Sequence, residues 1–189
     1  MKQNKNVFEV IFFARGGQGA KVATEILAHA ANAEGKHVQT FPFFGPERSG
    51  APTKFYLRIS DAEIRSHEPV VDPDVVAIMD ETLLDTEVMT TNLDRDEMLI
   101  INSRKTPQEI KEKIQYEGKI YPIDATGISM DVLGQPRPNT VFLGKFVQVT
   151  GIVSLASVVD AFKEIFLEKI GEAATVKNIQ AIEKAYDTI

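Results

Sequence analysis

Apolar residues along this chain recur at two spacings in turn, and that alternation predicts the fold. Val7 to Ala14 is a nearly continuous run of β-branched, aromatic and small residues that stops at Gly16-Gly17, as expected of a strand covered on both faces. From Gly19 the spacing becomes helical, with Val22, Ile26, Leu27 and Ala30 on one face and Gly35 where a helix-terminating glycine belongs. His37 to Phe41 predicts a second strand and Pro42 to Pro52 a loop. Phe55, Leu57 and Ile59 then alternate with Tyr56, Arg58 and Ser60, the period of a half-buried strand. Val75 to Met79 is another buried-type run, followed by a weakly amphipathic helical segment around Leu83, Leu84 and Val88.

Met98 to Ile101 repeats the buried-strand pattern. Thr106-Pro107-Gln108-Glu109 is a capping box with proline at the first helical position, with Ile110 and Ile114 on one face and Gly118 as the expected stop. Ile120 to Ile123 predicts a further strand. Beyond Asn139 the pattern is helical: Phe142, Phe146 and Val149 with Gly144 among them, where a small residue would admit another backbone. A wide face from Leu155 to Ile170 and another through Val176, Ile179, Ile182 and Tyr186 follow. Alternating strands and helices predict an α/β protein, a three-layer α/β/α sandwich around a mostly parallel or mixed central sheet. With 189 residues and no linker, repeat or low-complexity tract, residues 1–189 are expected to form a single domain.

Composition narrows the function. Hydrophobic residues make up 43% and charged residues 25%, which suits a folded globular chain. The net charge of -6 argues against a nucleic-acid partner, since a phosphate backbone rewards clustered Lys and Arg. No cysteine is present, so the chain offers no thiolate for an iron–sulfur cluster, no disulfide and no thiol nucleophile. The short apolar run after Met1 to Asn6 has neither a cleavage-site pattern nor the length of a membrane span, and a cytoplasmic, membrane-free protein is expected.

The sharpest local feature is Arg15-Gly16-Gly17-Gln18-Gly19 between a strand and a helix. Glycines there permit a tight turn and close backbone approach to a ligand, and the first helical amides can receive an anion. Nucleotide versions of the motif fail at named positions. A dinucleotide fingerprint would need a small residue where Val22 stands, and a phosphate loop would end in Gly-Lys-Ser/Thr where this chain has Gly19-Ala20-Lys21-Val22. A plain βα turn with Arg15 and Gln18 exposed competes with the ligand reading.

A second feature, Phe43-Phe44-Gly45-Pro46-Glu47-Arg48-Ser49-Gly50-Ala51-Pro52, joins aromatics to a stiff loop carrying Glu and Arg. That composition suits a partner interface, with an ordinary surface loop as the alternative. His29, His37 and His67 lack metal-ligand spacing, and no metal site is expected. Asp72, Asp74, Asp80 and Glu81 flank a strand, and no catalytic acid or base is assigned to them.

In order along the chain, Gly16-Gly17-Gln18-Gly19, the loop Gly45 to Pro52, the Pro73-Asp74-Val75-Val76 lead into a strand and Asn139 to Gly144 resemble the gamma subunit, or gamma domain, of the 2-oxoacid:ferredoxin oxidoreductases, above all the pyruvate type. The resemblance implies an assembly that oxidatively decarboxylates pyruvate with coenzyme A as co-substrate, giving acetyl-CoA and CO2 and passing electrons to ferredoxin. It further implies alpha, beta and delta subunits as partners, with thiamine diphosphate, Mg and 4Fe-4S clusters in those partners and no cofactor on this chain alone. Two loops are expected to meet a partner or coenzyme A: Arg15, Gly16, Gly17, Gln18 and Gly19 in one, and Phe44, Gly45, Pro46, Glu47, Arg48 and Gly50 in the other. A gamma subunit of an oxidoreductase for 2-oxoisovalerate or another 2-oxoacid, a free-standing nucleotide- or acyl-carrier-binding module, and a purely structural subunit are the alternatives.

Overall fold

The computed structural model describes residues 6–43, 50–85, 90 and 93–188. Six strands form one mixed sheet: β1 Val7–Arg15, β2 His37–Phe43, β3 Pro52–Ser60, β4 Val75–Ile78, β5 Met98–Asn102 and β6 Lys119–Ile123. Their spatial order is β2-β3-β1-β4-β5-β6. β1, β4, β5 and β6 run parallel, while β3 is antiparallel to both β1 and β2.

Side-chain alternation divides the interior into two layers. Val10, Phe12 and Ala14 of β1, Val75 and Ala77 of β4 and Ile100 of β5 face a thick helical layer of α1 Ala20–Ala33, α3 Ala125–Leu133, α4 Pro138–Thr150, α5 Leu155–Ile170 and α6 Glu172–Asp187. Phe13, Val76, Ile78, Leu99 and Ile101 face the thinner layer of α2 Pro107–Ile114 and the short 3-10 helix Glu81–Asp85. The continuous apolar runs of the parallel strands follow from burial on both faces. The α/β sandwich expectation holds, with most helices on one side.

Several local expectations need correction. β2 continues through Pro42 to Phe43, which is tolerated because β2 is the outermost strand and Pro lacks only an N–H that an edge can spare. β3 is not half-buried: Tyr56, Arg58 and Ser60 are buried along with Phe55, Leu57 and Ile59. The polar face is accommodated because Arg58 donates to Glu9 Oε1 at 2.8 Å and to Gln39 Oε1 at 3.0 Å, and its guanidinium lies over the Phe41 ring. The segment after β4 is a 3-10 helix, and Val88 lies outside the described residues. The capping box of α2 is present, but the helix ends on Gln115 in the left-handed region at φ 53°, three residues before Gly118.

Helix α3 went unforeseen. Its sequence, ATGISMDVL, carries a glycine and β-branched residues and no clear apolar stripe. Asp124 as N-cap, accepting from Gly127 N–H at 2.7 Å, and Gly134 in the left-handed region at the far end were the available signals. Gly144 does admit another backbone: the Ile182 carbonyl of α6 lies where a side chain on Gly144 would begin.

Candidate functional site

The four parallel strands end on one rim. There α1 carries the chain from β1 outward to β2, whereas β4 leads in the opposite direction to β5 and β6. Loops diverging from adjacent parallel strands leave a crevice between them, the usual ligand position in open α/β sheets. A cleft of about 800 Å³ occupies this place, bordered by the glycine turn, Asp80, Asn102, Arg104, Asp124 and Arg137.

The turn is built from its own side chains. Gln18 N–H donates to the Arg15 carbonyl at 3.0 Å, and Arg15 N–H donates to Gln18 Oε1 at 2.7 Å, closing a reciprocal loop. Gly17 and Gly19 have φ of 92° and 79°, in the left-handed region that favours glycine. Their surroundings differ. A Cβ on Gly17 would meet nothing within 4 Å, so that backbone is open to a ligand, whereas a Cβ on Gly19 would stand 2.5 Å from Asn139 Nδ2. Gly19 therefore serves the seating of α4 against the turn, and Gly17 is the position where a ligand can approach.

Asp80, just past the end of β4, ties the turn to its neighbours. Its Oδ2 accepts from Gln18 Nε2 at 2.6 Å and lies 3.4 Å from Arg15 Nε, while Oδ1 accepts from Thr82 N–H at 2.9 Å and the Thr82 hydroxyl at 2.6 Å. Burial by itself would raise this carboxyl. The Thr82 hydroxyl, the Gln18 amide, the Thr82 N–H and the Arg15 charge outweigh it and hold the group below the ordinary carboxylate value. Arg15 donates onward to Thr82 Oγ1 at 2.9 Å and to the Gly50 carbonyl at 3.3 Å. Arg15 and Gln18 are thus engaged, not the free side chains of a plain exposed turn. Asn102 fixes the neighbouring rim, donating to the Met79 carbonyl at 3.1 Å and to Thr126 Oγ1 at 2.9 Å.

The carboxylates around the cleft have protein donors. Glu81 accepts from the Ser103 hydroxyl and stands 3.7 Å from Lys105 Nζ, Glu109 closes the α2 capping box, and Asp124 caps α3. Arg137 differs. The fully buried Ser129 hydroxyl donates to the Gln135 carbonyl at 2.5 Å and accepts Arg137 N–H at 2.8 Å, fixing the Pro136-Arg137-Pro138 backbone. No hydrogen bond or ion pair engages its exposed guanidinium among the described residues. Arg104 also lines the cleft, 3.5 Å from Asp124. The N-termini of α1 and α4, neither with a side-chain cap, open onto the same space and add positive potential. The guanidinium of Arg137 and the uncapped helix N-termini give the cleft a place for an anionic group, with Arg104 close by on Asp124.

Of the residues singled out in the sequence, Arg15, Gly16, Gly17, Gln18 and Gly19 come together at this rim, and Gly50 joins them through its carbonyl and through Ala51, whose carbonyl accepts Gly16 N–H at 3.0 Å. Phe44, Gly45, Pro46, Glu47 and Arg48 lie outside the described residues. Sequence reasoning gave no role to Asp80, Arg104 or Arg137. A proline on each side of Arg137 was the one local sign that it would be held rigidly.

Residues 9–188 match the family described as pyruvate ferredoxin/flavodoxin oxidoreductase. The chain is 45% identical over 182 residues to the pyruvate/ketoisovalerate oxidoreductases common subunit gamma of Thermococcus kodakarensis, covering 96% of each chain. It is 42% identical to the pyruvate synthase subunit PorC of Methanothermobacter thermautotrophicus, over 97% of this chain and 96% of that one. The crystal structure of pyruvate oxidoreductase subunit PORC from Thermotoga maritima superposes with a TM-score of 0.87 at 37% identity, covering 97% of both chains. Similarity along nearly the whole chain to gamma and PorC subunits marks a subunit of a multi-subunit oxidoreductase. This chain belongs to the pyruvate ferredoxin/flavodoxin oxidoreductase family.

Proposed function

We infer that this chain is the gamma subunit of a 2-oxoacid:ferredoxin oxidoreductase of the pyruvate/ketoisovalerate kind. Near end-to-end similarity to gamma and PorC subunits carries that reading. Pyruvate is the favoured substrate, oxidised with coenzyme A to acetyl-CoA and CO2. The Thermococcus relative is named as common to pyruvate and ketoisovalerate enzymes, which fits a subunit that does not itself select the 2-oxoacid. Residues 1–189 act as one domain, supported by the single continuous sheet. Alpha, beta and delta subunits are its partners and hold thiamine diphosphate, Mg and the 4Fe-4S clusters, from which electrons leave to ferredoxin. No helix among the described residues is long and apolar enough to cross a membrane, and the reading places the complex in the cytoplasm.

The rim is the working surface of the subunit. The glycine turn and the base of the loop at Gly50 border the partner that carries thiamine, and the cleft between Gly17 and Arg137 receives an anionic part of coenzyme A. The unengaged guanidinium of Arg137, fixed at its backbone by Ser129, is the observation behind this assignment. The test is anaerobic purification of the complex carrying Arg15→Ala or Arg137→Gln, followed by subunit composition and steady-state kinetics. A raised KM for coenzyme A, with assembly retained for Arg137→Gln, is expected. If both variants leave assembly and that KM at wild-type values, the assignment of the rim is wrong.

A further inference from the structure

We propose that Asp80 is a positioning residue for coenzyme A, acting through Gln18 to hold the shape of the glycine turn. The proposal rests on the reading that this turn borders the coenzyme A path. Every described partner of the Asp80 side chain belongs to the rim: Gln18 in the turn, Arg15 where β1 ends, and Thr82 in the 3-10 helix. None of the three belongs to either buried apolar cluster. Loss of the carboxylate loosens the turn without opening the core.

The hydrogen bonds run in one direction. Arg15 N–H donates to Gln18 Oε1, so the Gln18 amide must present its NH2 to Asp80, and it does so at 2.6 Å. Thr82 donates twice to the other Asp80 oxygen. An asparagine at position 80 can keep both Thr82 bonds only by turning its own NH2 toward that of Gln18, donor against donor. A glutamate at position 18 would instead set carboxylate against carboxylate. The two changes together restore the pair. The carboxylate introduced at position 18 still accepts Arg15 N–H, the amide introduced at position 80 donates to that carboxylate, and one negative charge remains beside Arg15.

This complementarity makes the test. Whole complexes carrying Asp80→Asn, Gln18→Glu, or both are assayed for kcat and for KM toward coenzyme A and pyruvate separately. Each single change should raise KM for coenzyme A about tenfold, the factor for about 1.4 kcal/mol of binding free energy. Both should leave kcat and KM for pyruvate near wild type, and the double change should bring KM for coenzyme A back. Single changes that leave this KM alone while Arg137→Gln raises it would overturn the clamp and spare the reading of the cleft. An Arg137→Gln complex that also binds coenzyme A normally would remove both. A double variant as poor as the two singles combined overturns the proposal as well. Should a single variant fail to enter the complex, Thr82→Val removes one donor to Asp80 and an acceptor of Arg15, and leaves Gln18 in place. It should raise KM for coenzyme A by a smaller factor, and an unchanged KM there rejects the clamp.

Discussion

Gly144 sets the distance between the two most closely packed helices, and replacing it with alanine gives a quantitative test of the helical layer. A Cβ at this position would stand 2.0 Å from the Ile182 carbonyl oxygen, 2.8 Å from Tyr186 N and 3.0 Å from Ala185 Cβ. The first of these is roughly 1.4 Å short of the 3.4 Å at which ordinary contact begins. The nearest atoms are backbone, so no rotamer change relieves the overlap, and α6 must move away from α4. That movement opens the interface lined by Ala181, Ile182 and Ala185, all fully buried, and a gap of even 0.5–1 Å forfeits about a quarter to a half of each dispersion contact across it. Overpacking of this kind costs about 3 kcal/mol at the upper end of its usual range. About 1 kcal/mol returns through the better helix propensity of alanine. A net loss of about 2 kcal/mol should lower Tm by about 4–8 °C in a chain of this length. Thermal unfolding followed by far-ultraviolet circular dichroism, with a urea titration to verify an unchanged m-value, reads the effect directly. Ala185→Gly should not rescue it, because the closest obstruction is the Ile182 carbonyl. A Tm at or above wild type for Gly144→Ala would refute the packing argument.

Two further outcomes concern other parts of the fold. Thr106→Ala removes the side-chain half of the α2 capping box and should cost about 1 kcal/mol in urea unfolding. Hydrogen bonds from the Thr106 backbone and side chain hold Glu109 below its ordinary value of 4.5, so its contribution is complete above that pH and fades as pH falls through the lower folded value. Glu109→Gln should therefore flatten the pH dependence of stability below about 4.5, measured as urea midpoints across an acid series. Arg58→Ala breaks an ion pair whose arginine side chain is only 4% exposed, and a loss of about 3 kcal/mol is expected. Removing both charges with Arg58→Met and Glu9→Gln should lie closer to wild type by the same measurement, and equal losses for the two variants would refute the pairing.

Elements that signal themselves over short stretches were readable from the chain alone. The buried runs of β1, β4 and β5, the Thr106 to Glu109 cap and the small residue at Gly144 each declare their structure within a few positions, because burial on two faces, a side-chain cap and a close helix crossing each demand particular residue types locally. Helix α3 did not, since its start depends on one aspartate and its packing on α4 and α6. The polar face of β3 looked solvent-exposed because the partners that justify its burial, Glu9 and Gln39, belong to other strands.

The candidate site divides along the same line. Sequence by itself determined that a glycine turn would join a central strand to a helix, that this chain holds no thiolate redox centre, and that its ordered motifs resemble one family of oxidoreductase subunits. Only the tertiary structure decided which glycine faces open space and which faces Asn139, and that Gln18 meets Asp80 across 62 positions of sequence. It likewise set Arg137 on the lining of the same cleft as the turn. Strand and helix patterns arise from neighbours along the chain, whereas a rim cleft exists only once parallel strands are placed side by side and their loops diverge.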